Sequence, residues 1–270
     1  MHYLTSCRLL FIVPLALLLS ACATSPTGRT QLMLVSEGEA ISYSKQAYIE
    51  TVAQLDQKGK LVTDTAVTGR VDRITRDLVR QAEIMRPTSR DWDWEVRVIE
   101  DDEQVNAWCM AGGKMAVYTG LLKKLNPTDD ELAQVMGHEI SHALANHTAE
   151  KMSIAMATSL GIGVLSAATD RPELTAAAGA VAATLAIQMP NSRTAESEAD
   201  RIGIELAAKA GYDPRAAVTL WDKMGKVGGA SPPEFLSTHP HPAKRQATLR
   251  KLVEEMMPYY EQARAQRLRR

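Results

Sequence analysis

The sequence predicts a mainly helical α+β fold in which packed helices surround one small antiparallel β-sheet. Three observations carry that reading. Apolar residues recur at helical spacing over several long stretches, strict alternation is confined to one short region, and a Thr-x-x-Glu capping signal opens an apolar helix in mid-chain. With 45% hydrophobic residues among 270 and a mean hydropathy of -0.18, the chain can bury a real core but is too polar for a multi-span membrane protein. Lys and Arg number 31 against 32 Asp and Glu, so the strongly basic footprint of a nucleic-acid binder is missing. Three cysteines cannot build a disulfide framework.

Residues 1–21 read as an export signal. Arg8 precedes an apolar run from Leu9 to Leu19, broken only by Pro14 and well short of the roughly 20 residues of a spanning helix. Leu19-Ser20-Ala21-Cys22 resembles the lipobox of bacterial lipoproteins, which implies cleavage before Cys22 and lipidation of that cysteine. Acyl chains on Cys22 would hold the protein to a membrane, and Ala23 in the next position implies the outer membrane, facing the periplasm. Residues 22–30 have the Ser, Thr, Pro and Gly content of a tether, and 31–270 form the domain proper. Cys7 leaves with the signal, so Cys109, in the apolar run Asn106–Met110, is the remaining free thiol and reads as buried and inert.

Apolar spacing predicts helices over 36–55 and 65–85, the second ended by Pro87. Trp92, Trp94, Val96 and Val98 alternate onto one side of a strand. Two apolar segments around Gly112-Gly113 then complete an antiparallel sheet with a tight turn. Thr128 and Glu131 form the capping signal, and the apolar stripe behind it carries a helix to about Thr148. The stretches 152–169 and 174–189 carry no charge, but their Ala, Gly, Ser and Thr content predicts a soluble helical hairpin; the alternative is an apolar hairpin that covers the site or touches lipid. A further helix starts after Asn191-Ser192 and stops at Gly211.

His138-Glu139-Ile140-Ser141-His142 is the His-Glu-x-x-His pattern on a predicted helix. At 3.6 residues per turn His138 and His142 lie about 40° apart, so both imidazoles can reach one metal ion. Glu139, about 100° from His138, can hold a water as general base without being a ligand. Two nitrogens from one helix suit zinc, one ion per chain, which needs a third protein ligand. Glu196 on the later helix offers it. Asp200, one turn on, can accept the free N–H of a ligand histidine, while Glu198 points elsewhere. His147, nine residues after His138, is expected on the opposite face of the same helix in a structural or surface role.

The pairing of His138-Glu139-x-x-His142 with Glu196-x-x-x-Asp200 resembles the zinc metallopeptidase family that includes the CAAX-prenyl proteases, HtpX and BepA, and its LoiP-type lipoprotein branch is nearest in layout. Thr27-Gly28-Arg29, Asn106-Ala107-Trp108 and Thr238-His239-Pro240 with Arg245 extend the likeness over nearly the whole mature chain. The resemblance implies a zincin-like domain with an active-site helix and a second ligand-bearing helix. It also implies a sheet whose edge strand, with Asn106 and Ala107, binds extended substrate. It directs attention to His239, either a donor to the oxyanion or an extra zinc ligand, and to Arg245 as partner of a nearby acid. The function implied is a membrane-tethered zinc endopeptidase for misfolded or misassembled envelope proteins. The alternative is a chaperone-like or scaffolding lipoprotein with a structural or latent zinc site.

Overall fold

The computed structural model describes residues 22–168, 191–227, 234–239 and 245–267. The expected export signal at 1–21 and the second uncharged stretch at 174–189 lie outside them. In chain order the elements are strands β1 (Cys22–Thr24) and β2 (Thr30–Leu32), helices α1 (Glu37–Gln57) and α2 (Thr65–Met85), and a 3-10 turn over Pro87–Asp91. Then come strands β3 (Glu95–Ile99), β4 (Ala107–Met110) and β5 (Lys114–Tyr118), followed by helices α3 (Thr119–Leu125), α4 (Asp129–Leu144) and α5 (His147–Ala168). Helices α6 (Arg193–Lys209), α7 (Ala216–Val227), α8 (Glu234–Thr238) and α9 (Arg245–Arg267) complete the order. None of the described helices is long and apolar enough to cross a membrane.

Contacts divide the chain into two units, one from residues up to Ala40 and from Ala149–Gln188, the other from Ile41–Thr148 and Met189–Arg270. In the first, β1 and β2 pair antiparallel within the segment whose composition suggested a tether. Arg29 donates to both oxygens of Glu150 at 2.6 Å, Gln31 adds a bond of 2.9 Å, and Val35 N–H donates to the buried Ser153 hydroxyl. The bidentate geometry is the strong form of an ion pair and fastens the hairpin to the start of α5.

The second unit holds the core. Val71, Ile74, Leu78 and Ala82 recur every three or four residues on α2 and are fully buried, and the Asp64 side chain caps that helix by accepting from Ala66 N–H. The sheet departs from expectation. Its order is β3-β5-β4, with β4 antiparallel to β5 but β3 parallel to β5, so it is mixed. The Gly112-Gly113 turn does fold β4 against β5, with φ of 80° and 81°, and a Cβ on Gly113 would lie 2.4 Å from the Trp94 ring. The connection over 100–106 carries the chain past the sheet, so that β5 returns between β3 and β4.

Helix α4 begins as the capping signal requires. Thr128 Oγ1 accepts from Glu131 N–H and Glu131 accepts from Thr128 N–H. Burial works to raise the Glu131 carboxyl, but bonds from Lys223, the Thr128 N–H and Thr219 outweigh it and hold the group below its ordinary value. A lowered carboxylate stabilises the fold above its unfolded value and loses that contribution as pH falls. Glu131→Gln is therefore expected to cost about 1–2 kcal/mol at pH 7, with the gap to wild type narrowing below pH ~4; urea unfolding at both pH values measures it.

The helix stops at Leu144 rather than near Thr148. Ala145 and Asn146 form a turn in which Asn146 adopts φ of 55°, a left-handed conformation that asparagine tolerates, and α5 starts afresh at His147.

Candidate active site

Helices α4 and α6 make the most extensive packing among the described elements, and two glycines set their separation. A Cβ on Gly203 would lie 2.7 Å from His138 N, and one on Gly137 would lie 2.8 Å from Gly203 O. The backbones therefore touch at the residue that precedes the first histidine of the pattern. Gly203→Ala is expected to force the helices apart, destabilising the fold by about 1–3 kcal/mol. It should also lower metal affinity, because Glu196 and Asp200 would no longer reach His138; thermal unfolding and metal titration of the variant check this.

Close approach of these helices brings four buried side chains together. Ligand atoms of His138, His142, Glu196 and His239 all lie within 4.8 Å of one another. His138 Nε2 is 3.1 Å from His142 Nε2, 3.3 Å from His239 Nδ1 and 3.3 Å from Glu196 Oε2. Glu196 Oε1 is 3.0 Å from His239 Nδ1 and 3.5 Å from His142 Nε2. A tetrahedral metal with ligands at about 2.0–2.1 Å has ligand-to-ligand edges of about 3.3–3.4 Å, so the donor set and its spacing fit such an ion. Glu196 Oε2 is buried without a well-formed hydrogen bond, as a carboxylate oxygen reserved for a cation would be.

The acids around the cluster divide the work. Asp200 Oδ1 lies 3.1 Å from His138 Nδ1, the nitrogen turned away from the cluster. Arg245, the first residue of α9, bonds Asp200, reaches within 3.7 Å of Glu196 and packs over the Trp221 ring at 3.6 Å. Its charge offsets two buried carboxylates. Burial opposes a proton on His138, but Asp200 and Glu196 overcome it and push the imidazole up to about 9, a measure of how strongly the site favours positive charge. Burial likewise works to raise Glu196, yet the close imidazoles of His138 and His239 hold it far below the carboxylate range. Burial and the neighbouring His138 keep His142 well below its ordinary value.

Glu139 is 2% exposed, and its Oε1 lies 3.4 Å from His239 Nε2 with no hydrogen-bond partner among the described residues. Burial raises its carboxyl, against the pull of His239 and His138. A carboxylate held this way accepts and returns protons more readily than an ordinary one. His239 follows α8, where Phe235 stacks on its ring at 4.4 Å and Phe235 N–H is anchored to Val105 O.

Strand β4 is the edge of its sheet. Tyr118 N–H donates to Asn106 O, so the alternation of an antiparallel pair turns the N–H and C=O groups of Ala107 and Cys109 to the open edge. The Asn106 side chain accepts from Ala107 N–H at 2.9 Å, and both residues are buried. Cys109 is buried, and burial, with the Glu139 charge behind it, raises its thiol well above the ordinary range, so it is unreactive.

One expectation fails. His147 is not on the far face of α4, because the turn at Asn146 swings it back; it is 2% exposed, with Nδ1 2.8 Å from His142 Nδ1. Glu198 points away from the ligand cluster, as expected, but not to solvent. It is buried, and its Oε2 lies 3.1 Å from His147 Nε2. The asparagine before His147 is the signal in the sequence that marks this break.

Comparison with known proteins bears on the same region. Residues 65–253 match the model of Peptidase family M48. The chain is 40% identical over 179 residues to the mitochondrial metalloendopeptidase OMA1 of Arabidopsis thaliana, covering 64% of this chain and 35% of that protein. It is 31% identical over 274 residues to the Bos taurus metalloendopeptidase OMA1, covering 94% of this chain and 50% of the relative. Over 237 residues it is 29% identical to the beta-barrel assembly-enhancing protease of Escherichia coli (strain K12), covering 84% and 47%. The chain thus spans half or less of the length of these relatives. Because the family match takes in well over half of the chain and both helices that build the cluster, this protein belongs to peptidase family M48.

Proposed function

We propose that the chain is a zinc-dependent endopeptidase, tethered to the outer membrane through lipidated Cys22 and facing the periplasm, that cleaves misfolded or misassembled envelope proteins. The observation that carries the chemistry is the convergence of His138, His142 and Glu196 in one buried cluster with Glu139 beside it. Those three residues would hold one ion per chain. Zinc bound there supplies a Lewis acid that polarises a peptide carbonyl and acidifies water. Glu139 takes the proton of the attacking water and delivers it to the departing amine. Asp200 orients His138, and Arg245 fixes Asp200. Extended substrate lies along the open edge of β4, where the Cys109 N–H and the carbonyls of Ala107 and Cys109 offer backbone bonds that give affinity with little sequence reading. Asn106 holds the first N–H of that edge.

The envelope setting is supported by the lipobox at Cys22 and by the name of the Escherichia coli relative, a protease that enhances β-barrel assembly. The same lipobox is what supports placing the chain in the lipoprotein branch of the family. Purified chain supplied with zinc is expected to degrade an unfolded protein such as casein, and Cys22→Ala is expected to move the chain from the membrane fraction to the soluble one. Absence of cleavage, or unchanged fractionation, would count against the respective half of the reading.

One observation favours a latent form of the same enzyme. His239 Nδ1 sits among the ligand atoms, so it could hold the ion as a fourth ligand in the place that a catalytic zinc leaves to water or substrate. His239→Ala is expected to raise casein cleavage severalfold with zinc retained. A fall in cleavage with zinc retained would assign His239 to the oxyanion instead.

A further inference from the structure

Both histidines of the active-site helix have a carboxylate behind the nitrogen that faces away from the cluster. For His138 the carboxylate is Asp200, in direct contact at 3.1 Å. For His142 it is Glu198, two contacts away: His142 Nδ1 is 2.8 Å from His147 Nδ1, and His147 Nε2 is 3.1 Å from Glu198 Oε2. All three residues of the second chain are buried, so no bulk water competes for these bonds. The arrangement depends on the turn at Asn146, which ends α4 and lays the first residue of α5 against the last histidine of the pattern.

Donor arithmetic fixes the direction of the chain. An ionised Glu198 only accepts, so a neutral His147 carries its proton on Nε2 and presents a lone pair at Nδ1. That lone pair accepts from His142 Nδ1–H. His142 is then left with a bare Nε2, the atom that faces His138, Glu196 and His239. The opposite tautomer of His142 would set a lone pair against the His147 lone pair and put a proton where a cation binds.

We infer that His147 and Glu198 are positioning residues: a Glu198–His147–His142 relay that presets the tautomer and ring orientation of the second zinc ligand, as Asp200 does for the first. The inference rests on the zinc reading above. It also accounts for Glu198, a carboxylate 5% exposed beside two others on α6, which needs a buried partner to remain charged there. Orienting partners of metal ligands are worth about 10- to 100-fold in metal affinity.

The test has two arms. In the zinc-free wild-type chain, long-range proton–nitrogen correlation spectra are expected to show His142 protonated on Nδ1 and His147 on Nε2; a proton on His142 Nε2 overturns the inference, and this arm needs no variant to fold. Chelator competition then measures zinc affinity of His147→Leu, His147→Asn and Glu198→Gln beside wild type, with thermal unfolding of each zinc-free chain as the control. His147→Leu is expected to weaken zinc about 10- to 100-fold. His147→Asn is expected to recover most of the loss, because its amide oxygen sits near the place of the imidazole Nδ1. The effect of Glu198→Gln should be smaller, since its oxygen still accepts. A folded His147→Leu chain that binds zinc as tightly as wild type, or an Asn variant as damaged as the Leu variant, overturns the relay. Failure of the wild type itself to bind zinc would instead strike the zinc reading, while the tautomer spectra still decide the relay.

Discussion

Glu139→Gln is expected to leave zinc bound and to cut casein cleavage by about 100- to 10,000-fold, the usual worth of a positioned general acid–base. The separation of the two effects follows from geometry. Glu139 contributes no atom to the ligand cluster, yet its carboxylate is buried beside it and 3.4 Å from His239 Nε2. Glutamine fills the same space but cannot accept a proton, so binding survives and chemistry does not. The raised carboxyl of Glu139 makes the loss large, since a group more basic than an ordinary carboxylate is a better acceptor from water. Initial rates and metal content of the same preparation decide the matter. Cleavage at the wild-type rate would remove Glu139 from the reaction.

The second large effect belongs to Glu196. Glu196→Ala is expected to lose zinc by well over the ~100-fold that an orienting residue commands, and to lose cleavage with it. This carboxylate is fully buried, meets His138, His142 and His239, and lies within 3.7 Å of Arg245. Removing it leaves Arg245 and the imidazoles short of negative charge, and that itself destabilises the fold. Glu196→Gln, which keeps the volume, separates the two consequences: a folded chain without zinc is the expected outcome. Retained zinc in that variant would mean that the third ligand lies elsewhere.

How far the sequence announces this arrangement depends on the range of the interaction. Local signals are legible. The Thr128 and Glu131 capping box, the start at Asn191-Ser192, and the spacing of Val71, Ile74 and Leu78 each act within one or two turns and place α2, α4 and α6 to within a few residues. The ligand helix and the acidic helix could likewise be paired, because His138-Glu139-x-x-His142 and Glu196-x-x-x-Asp200 each place their side chains on one face. Long-range choices are less visible. Nothing local distinguishes a sheet in which β3 pairs with β4 from one in which β5 slips between them. Helix α9 was equally hard to read, since its buried stripe of Leu249, Leu252 and Met256 is diluted by charged neighbours and a proline at 258.

The misplacement of His147 has one cause. Carrying the periodicity of α4 four residues too far rotates His147 to the wrong face, and a left-handed Asn146 is enough to undo that rotation. Once His147 turns inward, Glu198 acquires a buried partner and no longer needs solvent. The contact of Gly137 with Gly203 was hidden for a different reason: a glycine in a helix signals close approach only when its counterpart on the other helix is known.

The most direct measurement is metal content set beside casein cleavage as the purified chain is stripped with a chelator and then resupplied with zinc. The expected result is one zinc per chain, cleavage lost as the metal leaves, and both restored together in wild type, while Glu139→Gln regains the metal without the cleavage. Cleavage that persists in the stripped chain, or in the zinc-loaded Glu139→Gln variant at the wild-type rate, would contradict it.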